Sequence, residues 1–194
     1  MVDKHIRNIT KKMVSDNYKT VVLEMLQKRK CRHIQQVPDA EYDIHCVNED
    51  GQDVYVKFLL PSLKLPQHFK KYIESFDSPK DVHHIILLIK KPSSLFRRLC
   101  KPYSTELFHI EELQTNITNH VLVPKHQHIR AKEKEKIENI CAKYNISDKT
   151  KFPIILSSDP VCKFYGGQIG DLFEIHRNST VSGNYISYRY VDEL

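Results

Sequence analysis

The sequence has few of the features on which catalytic and membrane functions commonly depend. It contains no Trp and five Gly in 194 residues, and it has no Gly-rich loop of the kind that cradles phosphates. The longest apolar run extends from Ile85 to Ile89, far short of the roughly 18 residues of a membrane-spanning helix. The N-terminus lacks the apolar centre of a secretory signal. We therefore expect no membrane segment, and a cytosolic, nuclear or viral-factory location.

The cysteines and histidines do not form a recognisable metal or redox motif. The five cysteines are odd in number and no two have C-x-x-C spacing, so reduced, mostly buried thiols are expected instead of disulfides. The 11 histidines include local clusters, such as residues 83–84 and 126–128, but none has the two-pair spacing of a zinc site. The sequence thus predicts no metal, no cofactor and no small-molecule substrate, and it singles out no catalytic residue.

The charge balance is mildly basic, with 30 Lys and Arg against 24 Asp and Glu and a formal net charge of +6. Such an excess allows contact with nucleic-acid phosphates but does not require it. One cluster is concentrated around a predicted loop, and its cations Lys90, Lys91, Arg97 and Arg98 are candidate contacts for DNA phosphates. The alternative interpretation of this cluster is a solvated helix end.

Residues 1–118 mix helical and strand patterns and form a predicted N-terminal α/β (α+β) domain. A helix is predicted over residues about 3–30, with a break at residues 15–17. Two alternating strands, at residues 42–47 and 54–58, flank an Asp-Gly turn. An amphipathic helix follows near residues 65–76, then a central strand, a helix containing Leu95 and Leu99, and a short strand at residues 107–110.

Residues 119–194 form the predicted second domain. A charged helix covers residues 131–144, and Asp159 followed by Pro160 is typical of a helix start. Gly166 and Gly167 are expected to supply the positive φ that ends this short helix. Strands are predicted at residues 171–176 and 184–191, the second with Ile186, Tyr188 and Tyr190 towards the core and with Tyr185 and Arg189 on the other face.

The C-terminal third carries five motifs in a fixed order. They are NIT-x-H-x-LVP-x-H at residues 116–126, F-P-I-I at 152–155, D-P-V-x-x-x-Y-G at 159–166, the run from 170 to 179, and G-x-Y-x-x-Y-R at 183–189. This order closely resembles the shared fifth subunit of eukaryotic nuclear RNA polymerases, whose C-terminal part is also found alone as a small component of archaeal RNA polymerases. The family's R-P-S-E-T turn is replaced by residues 177–181 here, and Ile154 stands where the family has Arg.

The resemblance implies a non-catalytic subunit of a DNA-directed RNA polymerase. It implies a restriction-endonuclease-like jaw domain, a helix-flanked mixed sheet near downstream duplex DNA, followed by a small α+β assembly module that docks on the largest subunit. The location would be the nucleus in a cell, or the virion or cytoplasmic viral factory of a large DNA virus. Residues 91–94 resemble a family loop that lies near downstream DNA, which adds Pro92 and Ser93 to the DNA-proximal candidates. The docking candidates are His120, Pro124, His126, Asp159, Pro160, Tyr165, Gly166, Arg177, Tyr185, Tyr188 and Arg189.

Two other functions stay open at this point. A metal-dependent nuclease of the same fold needs an acid on one strand and an acid two residues before a Lys on the next. Asp43 and Lys57 are available, but Tyr55 occupies the place of the second acid, and Asp53 is expected to lie too far away. A free RNA-binding protein would share the basic charge without associating with a polymerase.

Overall fold

The computed structural model describes residues 17–37, 42–59, 65–179 and 183–193. The chain divides into two compact units between Thr115 and Asn116, close to the boundary expected after residue 118. The expected mixed α/β fold is confirmed, because each unit contains one mixed sheet accompanied by helices.

In its described residues, the first unit is a five-stranded sheet with three α-helices. Its strands lie in the order β1-β2-β3-β4-β5, antiparallel from β1 to β3 and parallel from β3 to β5. The elements are α1 (Asn17–Lys28), β1 (Arg32–Gln36), β2 (Ile44–Val47), β3 (Asp53–Leu59), α2 (Leu65–Glu74), β4 (His83–Leu88), α3 (Ser94–Cys100) and β5 (Thr105–His109). The part of the predicted first helix that precedes Asn17 lies outside the described residues.

The core of the first unit is built around β4, which is buried from His84 to Leu88. Such a continuous apolar run is expected of a strand covered on both faces. On one face Ile86 and Leu88 pack with Phe69, Tyr72 and Ile73 of α2 and with Phe96 and Cys100 of α3. The spacing of the three α2 residues places them on one side of that helix, which confirms the predicted amphipathic helix.

Helix α3 packs on the core through a different face from the one that carries its leucines. It buries Phe96 and Cys100, whereas Leu95 and Leu99 stay exposed. Residues four apart share one side of a helix, so both pairs form stripes and the sequence alone does not distinguish them. The larger Phe96 ring lies against Phe69, with ring centroids 5.4 Å apart.

The second unit is a four-stranded sheet in the order β6-β8-β9-β7. Strand β8 is antiparallel to β6 and β9, and β7 is parallel to β9. The elements are β6 (Lys125–Ile129), α4 (Lys134–Lys143), β7 (Ile154–Leu156), α5 (Pro160–Tyr165), β8 (Leu172–Ser179) and β9 (Gly183–Asp192). Strands β6 and β7 were not expected from the sequence, because their residues do not alternate between apolar and polar.

Both faces of this sheet are covered. Leu172 packs with Ile137 and Ile140 of α4 and with Tyr188, whereas the next residue, Phe173, packs with Cys162 of α5. Successive residues of a strand point to opposite faces, so α4 and α5 lie on opposite sides of the sheet. All five cysteines of the chain are free thiols.

Two details of the second unit differ from the sequence prediction. Ile186 was expected in the core with Tyr188 and Tyr190, but 39% of it is exposed. It lies where β9 runs beyond β7, which pairs with β9 only from Tyr190 onward. Gly167 was expected to supply positive φ, but that role falls to Gly166 alone, with φ of 70°.

Candidate docking and DNA-facing surfaces

Three predicted docking residues position helix α5. The Asp159 carboxylate accepts hydrogen bonds from the backbone N–H groups of Val161 at 2.8 Å and Cys162 at 3.3 Å, and Pro160 occupies the first turn. Gly166 ends the helix in the left-handed conformation, and its N–H reaches the carbonyls of Cys162 and Lys163. These are capping functions, so Asp159, Pro160 and Gly166 fix where α5 begins and ends.

Gly167 is a residue whose purpose the sequence did not reveal. A Cβ placed there would lie 2.6 Å from Cys162 Sγ and 2.9 Å from Phe173 Cε2. Both neighbouring side chains are fully buried, so there is no room for a Cβ and only Gly fits at this position. Tyr165 packs on the same ring, 5.9 Å between centroids, and burial raises its pKa.

The LVP-x-H run forms an exposed turn. The Val123 N–H donates to the His120 carbonyl at 2.9 Å, and Val121 and Leu122 at the tip are 96% and 83% exposed. His120 is itself exposed, and its Nδ1 accepts from the Leu122 N–H at 3.2 Å. Sequence reasoning named His120 but missed the two apolar residues, although they stand inside the matched motif.

His126 anchors the end of that run. Its Nδ1 lies 2.6 Å from the Pro124 carbonyl oxygen, and because a carbonyl only accepts, Nδ1 must carry the proton. Burial is the largest influence on His126 and lowers its pKa, which favours the neutral ring. The ring meets the edge of Phe173, 6.1 Å between centroids, so Pro124 and His126 join the exposed turn to the core.

The β8–β9 hairpin carries the remaining docking candidates. Tyr185 is exposed, Arg177 is half-buried and pairs with it in register, and Tyr188 is buried. The Tyr188 hydroxyl donates to Glu174 Oε2 at 2.9 Å, so its role is in packing α4 onto the sheet. The Arg189 guanidinium donates to the Ile154 carbonyl at 3.2 Å, and therefore links β9 to β7.

One edge of β9 is left open beyond the end of β7. The Tyr190 N–H donates to the Pro153 carbonyl, and alternate residues of a strand direct their backbone groups to the same side. The backbone groups of Asn184 and Ile186 therefore point away from β8, and β7 ends before reaching them. Pro153 has no N–H with which to extend the ladder. The exposed segment Asn184–Ile186 is called the β9 edge below.

Asp171 is a buried acid that the sequence did not single out. It accepts hydrogen bonds from the Ala131 N–H at 2.7 Å, the Gln168 N–H at 2.8 Å and His128 Nε2 at 2.7 Å. Burial alone would raise its pKa, but these three donors outweigh it and the pKa of Asp171 is lowered. The carboxylate thus ties the end of β6 to the start of β8.

The predicted DNA-facing residues lie in the loop between β4 and α3 and on α3 itself. Ser93 Oγ accepts from the Phe96 N–H at 3.2 Å and caps α3, and buried His109 contacts the Ile89 carbonyl at 2.6 Å through Nε2. The four cations lie before Pro92 and in the helix that follows it, and all are exposed or half-buried at the surface. Within the described part of the chain no ion pair engages Lys90, Lys91, Arg97 or Arg98.

In the described part of the chain, the residues named for the nuclease alternative are not brought together at one metal site. Asp43 Oδ2 accepts the Phe58 N–H at 2.7 Å and lies 3.6 Å from Lys57 Nζ. Asp53 instead contacts His45 Nε2 at 2.8 Å, and it is four residues along β3 from Lys57, or about 13 Å. Among the residues with described positions, no three His, Cys, Asp or Glu are grouped to hold a metal ion.

No helix within the described ranges is long and apolar enough to cross a membrane.

Comparison with known proteins assigns the second unit to a family. Residues 115–191 match the model described as RNA polymerase Rpb5, C-terminal domain. This range contains all five motifs and covers β6 to β9 with both helices of the second unit.

Curated relatives extend the similarity. The chain is 31% identical over 156 residues to DNA-directed RNA polymerases I, II, and III subunit rpabc1 of Dictyostelium discoideum, covering 75% of the chain and 76% of that relative. It is 35% identical over 89 residues to DNA-directed RNA polymerases IV and V subunit 5B of Arabidopsis thaliana, and 39% identical over 89 residues to subunit RPABC1 of Caenorhabditis briggsae. These two matches cover 46% of the chain and 39% and 40% of the relatives. The chain therefore belongs to the family of the shared fifth subunit of DNA-directed RNA polymerases.

Proposed function

We propose that the chain is a non-catalytic subunit of a multisubunit DNA-directed RNA polymerase, docked on the largest subunit through residues 116–194. The supporting observation is that the described motif residues of this unit act as caps, glycine contacts and strand pairs, which are the parts of a packed docking module. Bond synthesis would then belong to other subunits. The location would be the nucleus in a cell, or the virion or viral factory of a large DNA virus.

The β9 edge is the proposed contact with the largest subunit. Asn184 and Ile186 offer backbone N–H and C=O groups that an added strand can pair with, and Tyr185 and Ile186 offer apolar area beside them. An exposed strand edge left uncovered invites unwanted pairing. A permanent partner strand would satisfy these groups and remove that hazard.

Replacement of Ile186 by Pro tests this contact. Proline removes the N–H that points outward and leaves the ladder with β8 intact, because edge strands tolerate Pro at outward positions. We expect recovery of the largest subunit with a tagged chain to fall by about tenfold, a loss of about 1.4 kcal/mol in binding. Thermal unfolding of the isolated variant should stay near that of the natural chain.

Ile186→Ser is the matched control, because it removes the apolar side chain and keeps the N–H. It should reduce recovery less than Ile186→Pro. Equal recovery of the largest subunit by the Pro variant and the natural chain would reject the β9 edge as the docking surface.

The first unit is proposed to form part of the jaw near downstream duplex DNA. Lys90 and Lys91 lie one residue beyond the end of β4, and the contact of His109 with the Ile89 carbonyl holds the backbone just before them. Surface cations of this kind hold phosphates without reading sequence. Lys90 and Lys91 would therefore contribute DNA affinity that weakens as salt is added.

Reversal of both lysines, Lys90→Glu with Lys91→Glu, tests the DNA contact in the assembled polymerase. We expect shorter protection of downstream DNA, and a salt slope reduced by about 1 for each phosphate interaction that the substitutions remove. Lys134→Glu with Lys136→Glu on α4 is the control, since it makes the same charge change on the other unit. Unchanged protection and slope in the variant with Lys90 and Lys91 reversed would refute the contact.

A further inference from the structure

Helix α3 presents an apolar stripe to solvent. Leu95 is 71% exposed and Leu99 is 39% exposed, and among the described residues of the first unit they are the large hydrophobic side chains that remain exposed. Their spacing of four residues places them together on one flank of the helix. Scattered single leucines need no explanation, but an exposed pair four residues apart, on a helix whose adjacent side buries Phe96 and Cys100, is a defined surface.

Positive charge is concentrated in the part of the sequence that contains this stripe. The cations Lys90, Lys91, Arg97, Arg98 and Lys101 lie at the surface, and none has an ion pair within the described residues. The sequence contains no Asp or Glu between Asp81 and Glu106. Glu106 is engaged by Arg29 and His83, and Glu111 lies by His109, so nearby acids do not compensate the cluster.

The leucines and cations are interleaved. Arg98 comes three residues after Leu95 and one before Leu99, which places its guanidinium on the border of the stripe, while Arg97 and Lys101 lie a turn apart on the other flank. We call the surface formed by Leu95, Leu99 and Arg98 the α3 patch; Lys90 and Lys91, the proposed DNA contacts, are not part of it. Its chemistry is that of an apolar contact bordered by positive charge.

We propose that the α3 patch binds an acid-rich amphipathic segment of a partner protein. Alternation of acidic and apolar residues is typical of amphipathic disordered segments, and such a segment would cover the leucines while its carboxylates meet the cations. A nucleic-acid backbone would meet the cations but leave both leucines in water, gaining nothing from the apolar area. This proposal does not depend on how the C-terminal unit docks.

A synthetic peptide binding assay with the full chain tests the proposal. The probe is a short fluorescent peptide that alternates Asp or Glu with Leu or Phe, and the matched peptide carries Ser at each apolar position. We expect salt-sensitive binding of the first peptide and about tenfold weaker binding of the second. Leu95→Ser should weaken binding of the first peptide by about tenfold, as expected from removal of one buried leucine.

Two control variants separate the apolar and charged parts of the patch. Leu122→Ser removes an equally exposed leucine from the other unit, and Lys134→Glu makes a charge change there; both should bind like the natural chain. Arg98→Glu should weaken binding and reduce its salt dependence. Because these side chains are exposed, each variant should unfold at the temperature of the natural chain.

Three results would overturn the proposal. They are no peptide binding, binding that Leu95→Ser leaves unchanged, and binding equally strong for the Ser-substituted peptide. Tighter binding of duplex DNA or of vesicles rich in phosphatidylserine, with the peptide failing to compete, would assign the patch to nucleic acid or membrane instead. Co-purification of the variants with a polymerase is a separate measurement, so failure here leaves the proposed function standing.

Discussion

Gly166 and Gly167 are neighbours in sequence that serve different structural needs. Gly166 has a positive φ and ends α5, whereas Gly167 makes room for Cys162 Sγ and the Phe173 ring. The first need can be predicted from the sequence, because a Gly after a short apolar helix is typical of a left-handed cap. The second need depends on which side chains the fold places against Gly167, and the residues next to Gly167 in the sequence do not indicate it.

Gly167→Ala is expected to destabilise the second unit. The added Cβ would meet two fully buried atoms at 2.6 and 2.9 Å, and overpacking of this kind costs about 1–3 kcal/mol of unfolding free energy. Chemical denaturation of the natural chain and the variant would measure the loss.

The control for Gly167 is Gly51→Ala. Gly51 has φ of 79° but nothing within 4 Å of an added Cβ, so it reports backbone strain alone, about 1 kcal/mol. A Gly167→Ala protein as stable as the natural chain would show that the close approach is wrong.

At the scale of elements, one carboxylate joins three parts of the first unit. Glu106 on β5 accepts from Arg29, just after α1, at 3.1 and 2.7 Å, and lies 2.9 Å from His83 Nε2 on β4. His83 Nδ1 is also 2.8 Å from Ser104 Oγ. Burial alone would raise the pKa of Glu106, but Arg29 and His83 outweigh it and the pKa lies well below its ordinary value of 4.5.

Acid should therefore destabilise the first unit, and Glu106→Gln should remove part of that dependence. Below pH 4.5 the unfolded chain binds a proton that folded Glu106 does not, so stability falls as pH drops. At neutral pH the Gln variant should be less stable by about 2 kcal/mol, the scale of a charged hydrogen bond. The difference should shrink as the pH approaches the folded pKa.

Glu74→Gln is the matched control for Glu106. Glu74 forms an exposed i,i+4 pair with Lys70 at 3.7 Å, and such pairs contribute about 0.5 kcal/mol or less. Denaturation curves at neutral and acid pH compare the two variants. Equal effects of Glu74→Gln and Glu106→Gln would contradict the account of this junction.

Elements with local chemistry were predictable from the sequence, and those defined by tertiary contacts were not. The Asp-Gly hairpin between β2 and β3, the apolar β4 run and the Asp159-Pro160 helix start all follow from adjacent residues. Strand β6 contains two His and a Gln, and it becomes a strand because β8 pairs with it. The alternating pattern of β9 predicted Ile186 in the core, because such a pattern does not indicate where the neighbouring strand β7 begins.

At the scale of the whole molecule, most of the motif residues that identify the family maintain the fold, and few of them lie on the surfaces proposed for function. Asp159, Gly166 and Tyr188 maintain the fold, and their pattern could be recognised from the sequence. Tyr185 was also named from the sequence, but the open β9 edge around it and the α3 patch emerged only when burial and strand pairing were known. A motif pattern that preserves the fold therefore identifies the docking module but only one residue of its proposed contact.

The most direct test of the central claim is purification of a tagged full-length chain from its native source at moderate salt. We expect the chain to be recovered in stoichiometric amounts with the largest subunit and the other subunits of a DNA-directed RNA polymerase. Native mass spectrometry would measure the stoichiometry. Recovery of the chain as a lone monomer, with the polymerase subunits left in the unbound fraction, would contradict it.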